Sequence, residues 1–459
     1  MINRMKSRTD MPTLRIAVLE KGQRASRDWE TCMIGSNLDF STERLESYVL
    51  SSWKPLIFDA LLVAAAVEFC DRTQKRPALG WGRDFHLQIP VHDRAHWVSK
   101  GVSGALIEAL DFLTGDHWNV TFVQRKKSEE INRQSVLEMP LGIQAVLPFS
   151  DGMDSRAVAG LKERELKNHL ILVRLGSKRI DRPSGLSARQ PFATVPYRVV
   201  LNTQGKERSA RSRGFKFATV SGVAAFLIGA PKIIVPESGQ GALGSALVAV
   251  GHAYEDVRNH PLFTDRMEKY LHAVFGHEVK FEFPRLWATK GETLAEYAKG
   301  ATDDAHLKAW SCWQNSRQVS VDGRKRQCGI CAACMLRRLS VHAAGLSEAH
   351  DTYVWEDLSA PTFKKGAARG FKHVTEALHQ YAIAGTLHLD HLAGLRSAAL
   401  HKPALKRTAD LLARSQKLSP EEAELRLDRL LAKHETEWRA FVTSLGPSSF
   451  VAKWVAIRR

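Results

Sequence analysis

One short stretch of the chain combines small, hydroxyl and acidic side chains: Ser150, Asp151, Gly152, Met153, Asp154 and Ser155. The apolar run 143–149 before it predicts a buried strand, and the residues from 156 onwards predict a helix. A strand, a glycine turn and a helix N-terminus together direct backbone N–H groups at an anion. We expect a phosphate site in which the serines bind oxygens and Asp154 holds Mg²⁺. An ordinary turn capped by Asp154 or Ser155 is the alternative.

Four of the six cysteines form a group: Cys312, Cys328, Cys331 and Cys334. The last three follow a Cys-x-x-Cys-x-x-Cys spacing, and four thiolates complete a tetrahedral zinc site. Such a closed site leaves no position for water, so its expected role is structural. Cys32 and Cys70 lie apart from the group in apolar surroundings and are expected to be buried thiols.

The region that must position these residues, 136–345, alternates short apolar runs with helical ones. Beyond the run before Ser150, three segments predict strands: 170–175, 194–201 and 233–235. The segment 215–228 is rich in Ala and Val and predicts a helix. This alternation predicts an α/β fold with a parallel sheet, in which ligands bind at the carboxyl ends of the strands. Leu175 and Gly176 lie at such an end.

Two further regions flank the central one. Residues 1–135 are expected to form an α+β module, with strands at 14–19, 85–91 and 118–123 and helices at 56–69 and 102–113. Residues 346–459 are expected to be helical. Their longest helix begins at Ser419-Pro420 and carries an apolar stripe that we interpret as packing: Leu427, Leu430, Leu431, His434 and Trp438. The histidines at 86, 92, 96, 388 and 391 lack regular metal-ligand spacing and are expected to be structural.

The composition indicates the partners. The 459 residues carry 66 Lys and Arg against 49 Asp and Glu, a net charge of +17, which favours anionic partners such as nucleotides or nucleic acid. No apolar run is long enough to cross a membrane, and the N-terminus lacks the apolar segment of a signal peptide. We therefore expect a cytoplasmic protein, in whose reducing environment the cysteine group binds metal rather than forming disulfides.

Ser-x-Gly-x-Asp-Ser after a strand resembles the pyrophosphate loop (PP-loop) of ATP-pyrophosphatases, which cleave ATP between its α- and β-phosphates. Asp151 departs from the family pattern, which usually has a second glycine there. The cysteine segment resembles the zinc tail of 7-cyano-7-deazaguanine synthases, the QueC family, at Ser311-Cys312-Trp313 and at 328–338. Two weaker matches are Arg213-Gly214-Phe215 and the segment 289–293. The resemblance covers roughly 141–344.

The resemblance implies an adenine nucleotide α-hydrolase-like fold and the adenylation of 7-carboxy-7-deazaguanine with ATP and Mg²⁺. The loop 150–155 would bind the phosphates of ATP, and Leu175 and Gly176 would meet the adenine. Arg213 and Lys290 are the candidates for stabilising charge on the transferring phosphoryl group, with Asp154 as the third catalytic residue. Arg213 and Lys290 could instead be ordinary surface cations. Glu237 and Gln240, with Arg213, are candidates for binding the deazaguanine, although 237–241 could also be a plain turn.

The two flanks suggest which kind of relative this is. Enlarged QueC-like proteins of bacterial anti-phage defence loci are similar in this respect, and that resemblance implies transfer of the activated deazaguanine to an amine of a partner protein, at its N-terminus. A nitrile synthase that uses ammonia is the first alternative. A tRNA-modifying PP-loop ligase is the second, for which the basic charge is suggestive, although nucleic acid is not the favoured partner. An inactive nucleotide-binding scaffold would rest on Asp151 alone.

Overall fold

The computed structural model describes residues 13–49, 53–76, 82–126, 142–150, 152–176, 191–201, 207, 210–251, 253–301, 307–314 and 319–456. They divide into two compact units. The first unit contains the chain up to Phe149, Leu166–Val235 and Leu262–Glu282. The second contains Ser150–Glu165, Pro236–Pro261 and the chain from Phe283 onwards. The segment boundaries expected at 135/136 and 345/346 stay predictions.

The described residues of the first part of the chain form five strands and four helices: β1 (Thr13–Leu19), β2 (Glu30–Met33), β3 (Leu38–Asp39), α1 (Thr42–Val49), α2 (Pro55–Thr73), β4 (Asp84–Val91), α3 (Arg94–Val98), α4 (Lys100–Thr114) and β5 (His117–Gln124). Four of the strands form a sheet in the order β2-β1-β4-β5, and every pair is parallel. The expected α+β module is therefore wrong in class, because this sheet is an α/β arrangement. Alternating burial identifies a strand but does not encode the direction of its neighbours.

The middle of the chain forms a second parallel sheet. Its elements are β6 (Ala145–Phe149), α5 (Met153–Leu166), β7 (Leu170–Arg174), β8 (Arg198–Val199), α6 (Arg213–Ile228), β9 (Lys232–Ile234), α7 (Gly239–Leu247), α8 (Pro261–Phe275) and β10 (Lys280–Glu282). The sheet order is β10-β9-β6-β7, and all three pairs are parallel. This confirms the parallel sheet predicted for the central region, and β6, which precedes the serine-rich loop, is one of its two inner strands.

One predicted strand of this region is much shorter than expected. Of the segment 194–201, only Arg198–Val199 is extended in a ladder, and it pairs antiparallel with β3 rather than joining the parallel sheet. Pro196 precedes it and has no N–H to donate, which is why an apolar segment can read as a strand and still fail to enter a central ladder.

The last part of the chain is largely helical, as predicted. Its elements are α9 (Lys290–Ala298), β11 (Ser320–Val321), β12 (Arg324–Lys325), α10 (Ala332–Ala343), α11 (Glu376–Gly394), α12 (Lys402–Gln416), α13 (Pro420–Ser444) and α14 (Phe450–Ala456). Helix α13 begins at the predicted cap, where the Ser419 side chain accepts a hydrogen bond from the Glu422 amide, and it packs against α10, α11 and α12. Among the described helices, none combines the length and the apolar composition that a membrane span requires.

A buried cluster of charges lies inside the first unit. The Arg83 guanidinium, fully buried, contacts Asp71 at 2.5 Å and Asp116 at 2.8 Å, and Arg76 contacts Asp116 at 2.7 Å. Asp71 also accepts a hydrogen bond from the Ser212 amide just before α6. Two carboxylates and two guanidiniums thus balance one another, and only the Arg76 side chain is slightly exposed, at 9%.

We expect Asp116→Ala to lower the free energy of unfolding by about 3–5 kcal/mol, because removing one partner leaves buried guanidiniums without a counter-charge. Urea denaturation followed by circular dichroism measures this change. Glu108→Ala is the matched control, since Glu108 is 48% exposed beside Arg266, and its loss should cost less than about 1 kcal/mol. Equal effects of the two substitutions would contradict the interpretation.

Candidate functional site

The serine-rich loop follows β6 and leads into α5 within the second unit. The hydroxyl oxygens of Ser150 and Ser155 lie 3.1 Å apart, and the Ser155 hydroxyl donates to the backbone oxygens of Ser150 and Gly152. The Gly152 amide is 3.4 Å from the Ser150 hydroxyl oxygen. These bonds hold both hydroxyls beside the helix N-terminus. Asp151, the residue that departs from the PP-loop pattern, lies outside the described residues.

The Met153 side chain, unlike those of the serines in the loop, points into an apolar cluster. It is buried among Ala157, Leu294, Ala309 and Val341, in a small apolar cluster of the second unit. Of the six predicted phosphate-binding residues, Met153 can therefore contribute only its backbone. Its side chain anchors the first turn of α5.

The acidic residue of the loop is paired with a predicted catalytic cation. The Asp154 carboxylate, in the first turn of α5, lies 2.5 Å from the Lys290 ammonium nitrogen, and the two side chains are 18% and 7% exposed. Lys290 is the first residue of α9, where the helix dipole disfavours a cation and attracts an anion. Asp154 offsets that cost. The pair thus holds a positive group at a helix end suited to phosphate.

A second carboxyl group lies near this pair. The Glu237 side chain folds over the first turn of α7, accepting hydrogen bonds from the Ser238 amide at 3.3 Å and the Asn259 side chain at 3.1 Å. A Cβ at Gly241 would lie 2.1 Å from the Glu237 Oε1, so a larger residue there would displace the Glu237 side chain from this position. The segment therefore leads into α7 and places the Glu237 carboxyl group over its first turn.

The charge state of Glu237 follows from its surroundings. Burial and the neighbouring Asp154 carboxylate raise the pKa of Glu237 to about 8, although Lys290 and Arg258 act in the opposite direction. At neutral pH the group is therefore mostly protonated and can donate a hydrogen bond as well as accept one. Such a group suits the donor and acceptor edge of a purine-like base.

The Gln240 side chain contacts the site at the backbone of Lys290. Its side-chain oxygen accepts a hydrogen bond of 2.7 Å from the Lys290 amide, and its side-chain nitrogen lies 2.8 Å from the His434 Nδ1. Next to Lys290, the Thr289 hydroxyl donates to the Glu437 carboxylate at 2.7 Å. His434 and Glu437 were not predicted as site residues. The sequence places His434 in an apolar stripe, and that stripe carries no signal of a polar partner 194 residues away.

Three predicted site residues lie in the first unit. Leu175 and Gly176 follow β7, and the Leu175 amide donates to the Phe149 carbonyl at 2.9 Å. Arg213 is the exposed first residue of α6, with its guanidinium 4.8 Å from the centre of the Phe217 ring. The roles proposed for these residues in binding adenine, phosphate or deazaguanine stay predictions.

The four cysteines predicted as metal ligands come together. Their Sγ atoms all lie within 4.8 Å of one another and all four residues are buried. The Cys328 and Cys334 sulfurs are 3.7 Å apart, close to the roughly 3.8 Å that a tetrahedral ion bound at about 2.3 Å imposes. Gly329 supplies the knuckle between the first two clustered ligands with a φ of +83°.

Backbone donors surround these sulfurs. The Cys312 sulfur accepts from the Cys328 amide at 3.2 Å and the Gln314 amide at 3.3 Å, and the Cys328 sulfur accepts from the Cys331 amide at 3.3 Å. Amide donors stabilise thiolates, whereas burial raises the pKa of the Cys328 and Cys334 thiols. A bound cation would resolve that conflict, so the donor set fits a metal ion such as zinc. Among the described residues, the candidate histidines do not join such a group, and His92 contacts Asp59 instead.

Comparison with known proteins bears on the same part of the chain. Residues 239–345 match the family model of the queuosine biosynthesis protein QueC. A 7-cyano-7-deazaguanine synthase of Allorhizobium ampelinum is 32% identical over 121 residues, which are 26% of this chain and 44% of that relative. This segment is QueC-like. The chain thus spans less than half the length of the relative that it matches.

The QueC-like segment 239–345 contains Gln240, Lys290 and all four cysteines. The resemblance predicted from the cysteine segment and from Thr289-Lys290-Gly291-Glu292-Thr293 is confirmed there. The serine-rich loop and Glu237 lie outside the matched residues, so their assignment rests on the loop geometry and on the ion pair that connects Asp154 to Lys290.

We expect the purified protein to contain one zinc ion per chain and Cys334→Ser to lose most of it, because a closed tetrahedral site needs all four thiolates. Elemental analysis of protein purified without chelator measures the metal. Cys70→Ala is the matched control, since Cys70 is buried outside the group, and it should keep the zinc.

The thermal midpoint should fall further for Cys334→Ser than for Cys70→Ala, since the binding energy of a structural metal is folding energy. Wild-type protein without zinc, or a Cys334→Ser variant with full zinc content, would contradict the assignment.

Proposed function

We propose that this protein activates 7-carboxy-7-deazaguanine with ATP, releasing pyrophosphate, and then forms an amide from the acyl-adenylate with release of AMP. The observation that carries this proposal is the Asp154–Lys290 pair. It connects a PP-loop-like turn to a lysine that lies inside the QueC-like segment. The enzyme would be an ATP-dependent C–N ligase acting in the cytoplasm.

Each step assigns work to particular residues. A carboxylate oxygen of the substrate attacks the α-phosphorus of ATP, and the bond to the β-phosphate breaks. Ser150, Ser155 and the backbone at Gly152 would hold the phosphates, and Lys290 would stabilise the charge that develops on them. Asp154 would hold Mg²⁺, which neutralises phosphate charge when bound. Arg213 is proposed as a second cation for the phosphates or the substrate, and Leu175 and Gly176 as contacts for adenine.

Glu237 is proposed to recognise the base, and Gln240 to shape the site around it. A mostly protonated Glu237 can donate to the base carbonyl and accept from its amino or ring N–H groups. Gln240 has both side-chain atoms engaged, to the Lys290 amide and His434, so its proposed part is to shape the site. In the second step an amine attacks the acyl carbon, and the bond between that carbon and the AMP oxygen breaks with its electron pair leaving on AMP. The amine nitrogen then loses a proton.

The amine is proposed to be the N-terminus of a partner protein, in bacterial anti-phage defence. The support is architectural, since the described chain has a parallel-sheet region before the QueC-like segment and a helical region after it. A protein terminus needs a surface to bind, whereas ammonia needs only a small pocket. The second candidate function is nitrile synthesis with ammonia, favoured by the 7-cyano-7-deazaguanine synthase named as a relative.

We expect incubation with ATP, Mg²⁺ and 7-carboxy-7-deazaguanine to release AMP and pyrophosphate, and Lys290→Ala to lower kcat by about 100-fold or more, because it removes a charge aimed at the phosphates. Chromatography of the nucleotides measures this. Lys269→Ala, at a lysine 66% exposed in the first unit, should act like wild type. Release of ADP and phosphate would contradict the proposed bond cleavage.

The acceptor is tested by intact-mass spectrometry of the polypeptides encoded beside this gene, incubated with the enzyme and its substrates. We expect one of them to gain the mass of the deazaguanine acyl group, and its loss in Asp154→Ala would link that product to the phosphate site. Accumulation of free nitrile with ammonia, and no labelled polypeptide, would favour the second candidate. Labelled tRNA would instead indicate the tRNA-modifying alternative.

A further inference from the structure

We propose that helix α13, which lies beyond the QueC-like segment, positions Lys290 through a relay of buried hydrogen bonds from His434 to Gln240 to the Lys290 backbone. His434 is then a positioning residue of the active site, with no contact to substrate. The inference deepens the proposed function and rests on it for the catalytic consequence. The relay itself is a property of the fold that can be measured without turnover.

The Leu389 carbonyl oxygen at the end of the relay determines which atom donates in each of its hydrogen bonds. The His434 Nε2 lies 2.9 Å from the Leu389 carbonyl oxygen, which can only accept, so Nε2 carries the proton. Nδ1 is therefore the acceptor and takes a hydrogen bond from the Gln240 side-chain nitrogen. The Gln240 oxygen must then face the Lys290 amide, which donates to it at 2.7 Å. One arrangement satisfies all three bonds.

The relay is insulated from water and from protonation. His434 is fully buried and Gln240 is 5% exposed. Burial lowers the pKa of His434 to about 4, so the ring stays neutral near pH 7 and its Nδ1 remains an acceptor. An apolar residue at 434 would pack in the same stripe of α13, but it would not fix the orientation of the Gln240 amide. The amide could then rotate so that its NH₂ group, a donor, faces the Lys290 N–H, which is also a donor.

A second contact from α13 reaches the neighbouring residue. Glu437, one helical turn after His434, accepts a hydrogen bond from the hydroxyl of Thr289, the cap of α9. Thr289 and Glu292 form a capping box, in which each side chain accepts from the backbone of the other. The start of α9 is thus held by α13 directly at Thr289 and through Gln240 at Lys290. That constraint directs the Lys290 ammonium at Asp154, 2.5 Å away.

Two substitutions separate positioning from packing, because each keeps one half of the His434 ring chemistry. His434→Asn keeps an acceptor near the Nδ1 position and loses the bond to the Leu389 carbonyl. His434→Gln keeps a donor near the Nε2 position and leaves the Gln240 nitrogen without its acceptor. Each variant loses one buried hydrogen bond, so their thermal midpoints should fall by similar amounts.

The first readout is hydrogen exchange of the Lys290 amide, followed by mass spectrometry of the full-length protein. Exchange should speed up in His434→Gln and stay near the wild-type rate in His434→Asn. Equal exchange in the two variants would overturn the relay. This readout decides the question even if wild-type protein releases no AMP, an outcome that would count against the proposed function alone.

The second readout is AMP release. His434→Gln should lower kcat by about 10- to 100-fold with little change in the KM for ATP, because misplacement of a charge by a fraction of an ångström affects the transition state most. His434→Asn should retain most of the wild-type kcat. In a Gln240→Leu background, His434→Gln should have little further effect, since both residues act in one relay. Wild-type kcat in His434→Gln, or equal losses in the two variants, would overturn the catalytic part.

Discussion

The site depends on one constraint, the placing of a buried ammonium group at the positive end of a helix. Lys290 begins α9, where the dipole repels its charge, and it remains there because Asp154 lies against it. The same pairing joins the turn after β6 to the QueC-like segment. In the proposed function, the polyphosphate of ATP would interact with both the helix end and the lysine.

The cysteine group is the second constraint, and it belongs to the core rather than to the surface. Its four residues share an apolar cluster with Trp355, Leu389, Trp438 and Phe450, which come from the helical region after the QueC-like segment. A metal ion at the cysteines would therefore support helix α13, which carries Trp438 of this cluster as well as His434 and Glu437. The helical region and the QueC-like segment share one core within the second unit, so a change in the cysteines is expected to reach the site through packing.

Charged side chains lie buried inside the first unit. It contains two parallel sheets and a buried set of charges in which Arg76 and Arg83 face Asp71 and Asp116. Such a set contributes little net stability compared with apolar packing, but it strongly penalises arrangements that separate its members. Asp71 also accepts from the Ser212 amide, which ties the start of α6, and therefore the backbone next to Arg213, to α2.

Local pattern determined much of this protein. Cysteine spacing alone was sufficient to predict the metal group, because ligands on one knuckle and one helix turn are close in sequence. Alternation of apolar runs was sufficient to predict the parallel central sheet.

Three features were decided only by tertiary structure: the direction of the N-terminal strands, the short ladder at Arg198–Val199 and the relay from His434. Strand direction depends on how crossovers pack. The relay depends on bonds between residues 45, 50 and 194 positions apart, and the Leu389 carbonyl at its end sets their donors and acceptors. A histidine in an apolar stripe has the same sequence signature whether it packs or orients a partner, because only the folded chain brings that partner within hydrogen-bond distance.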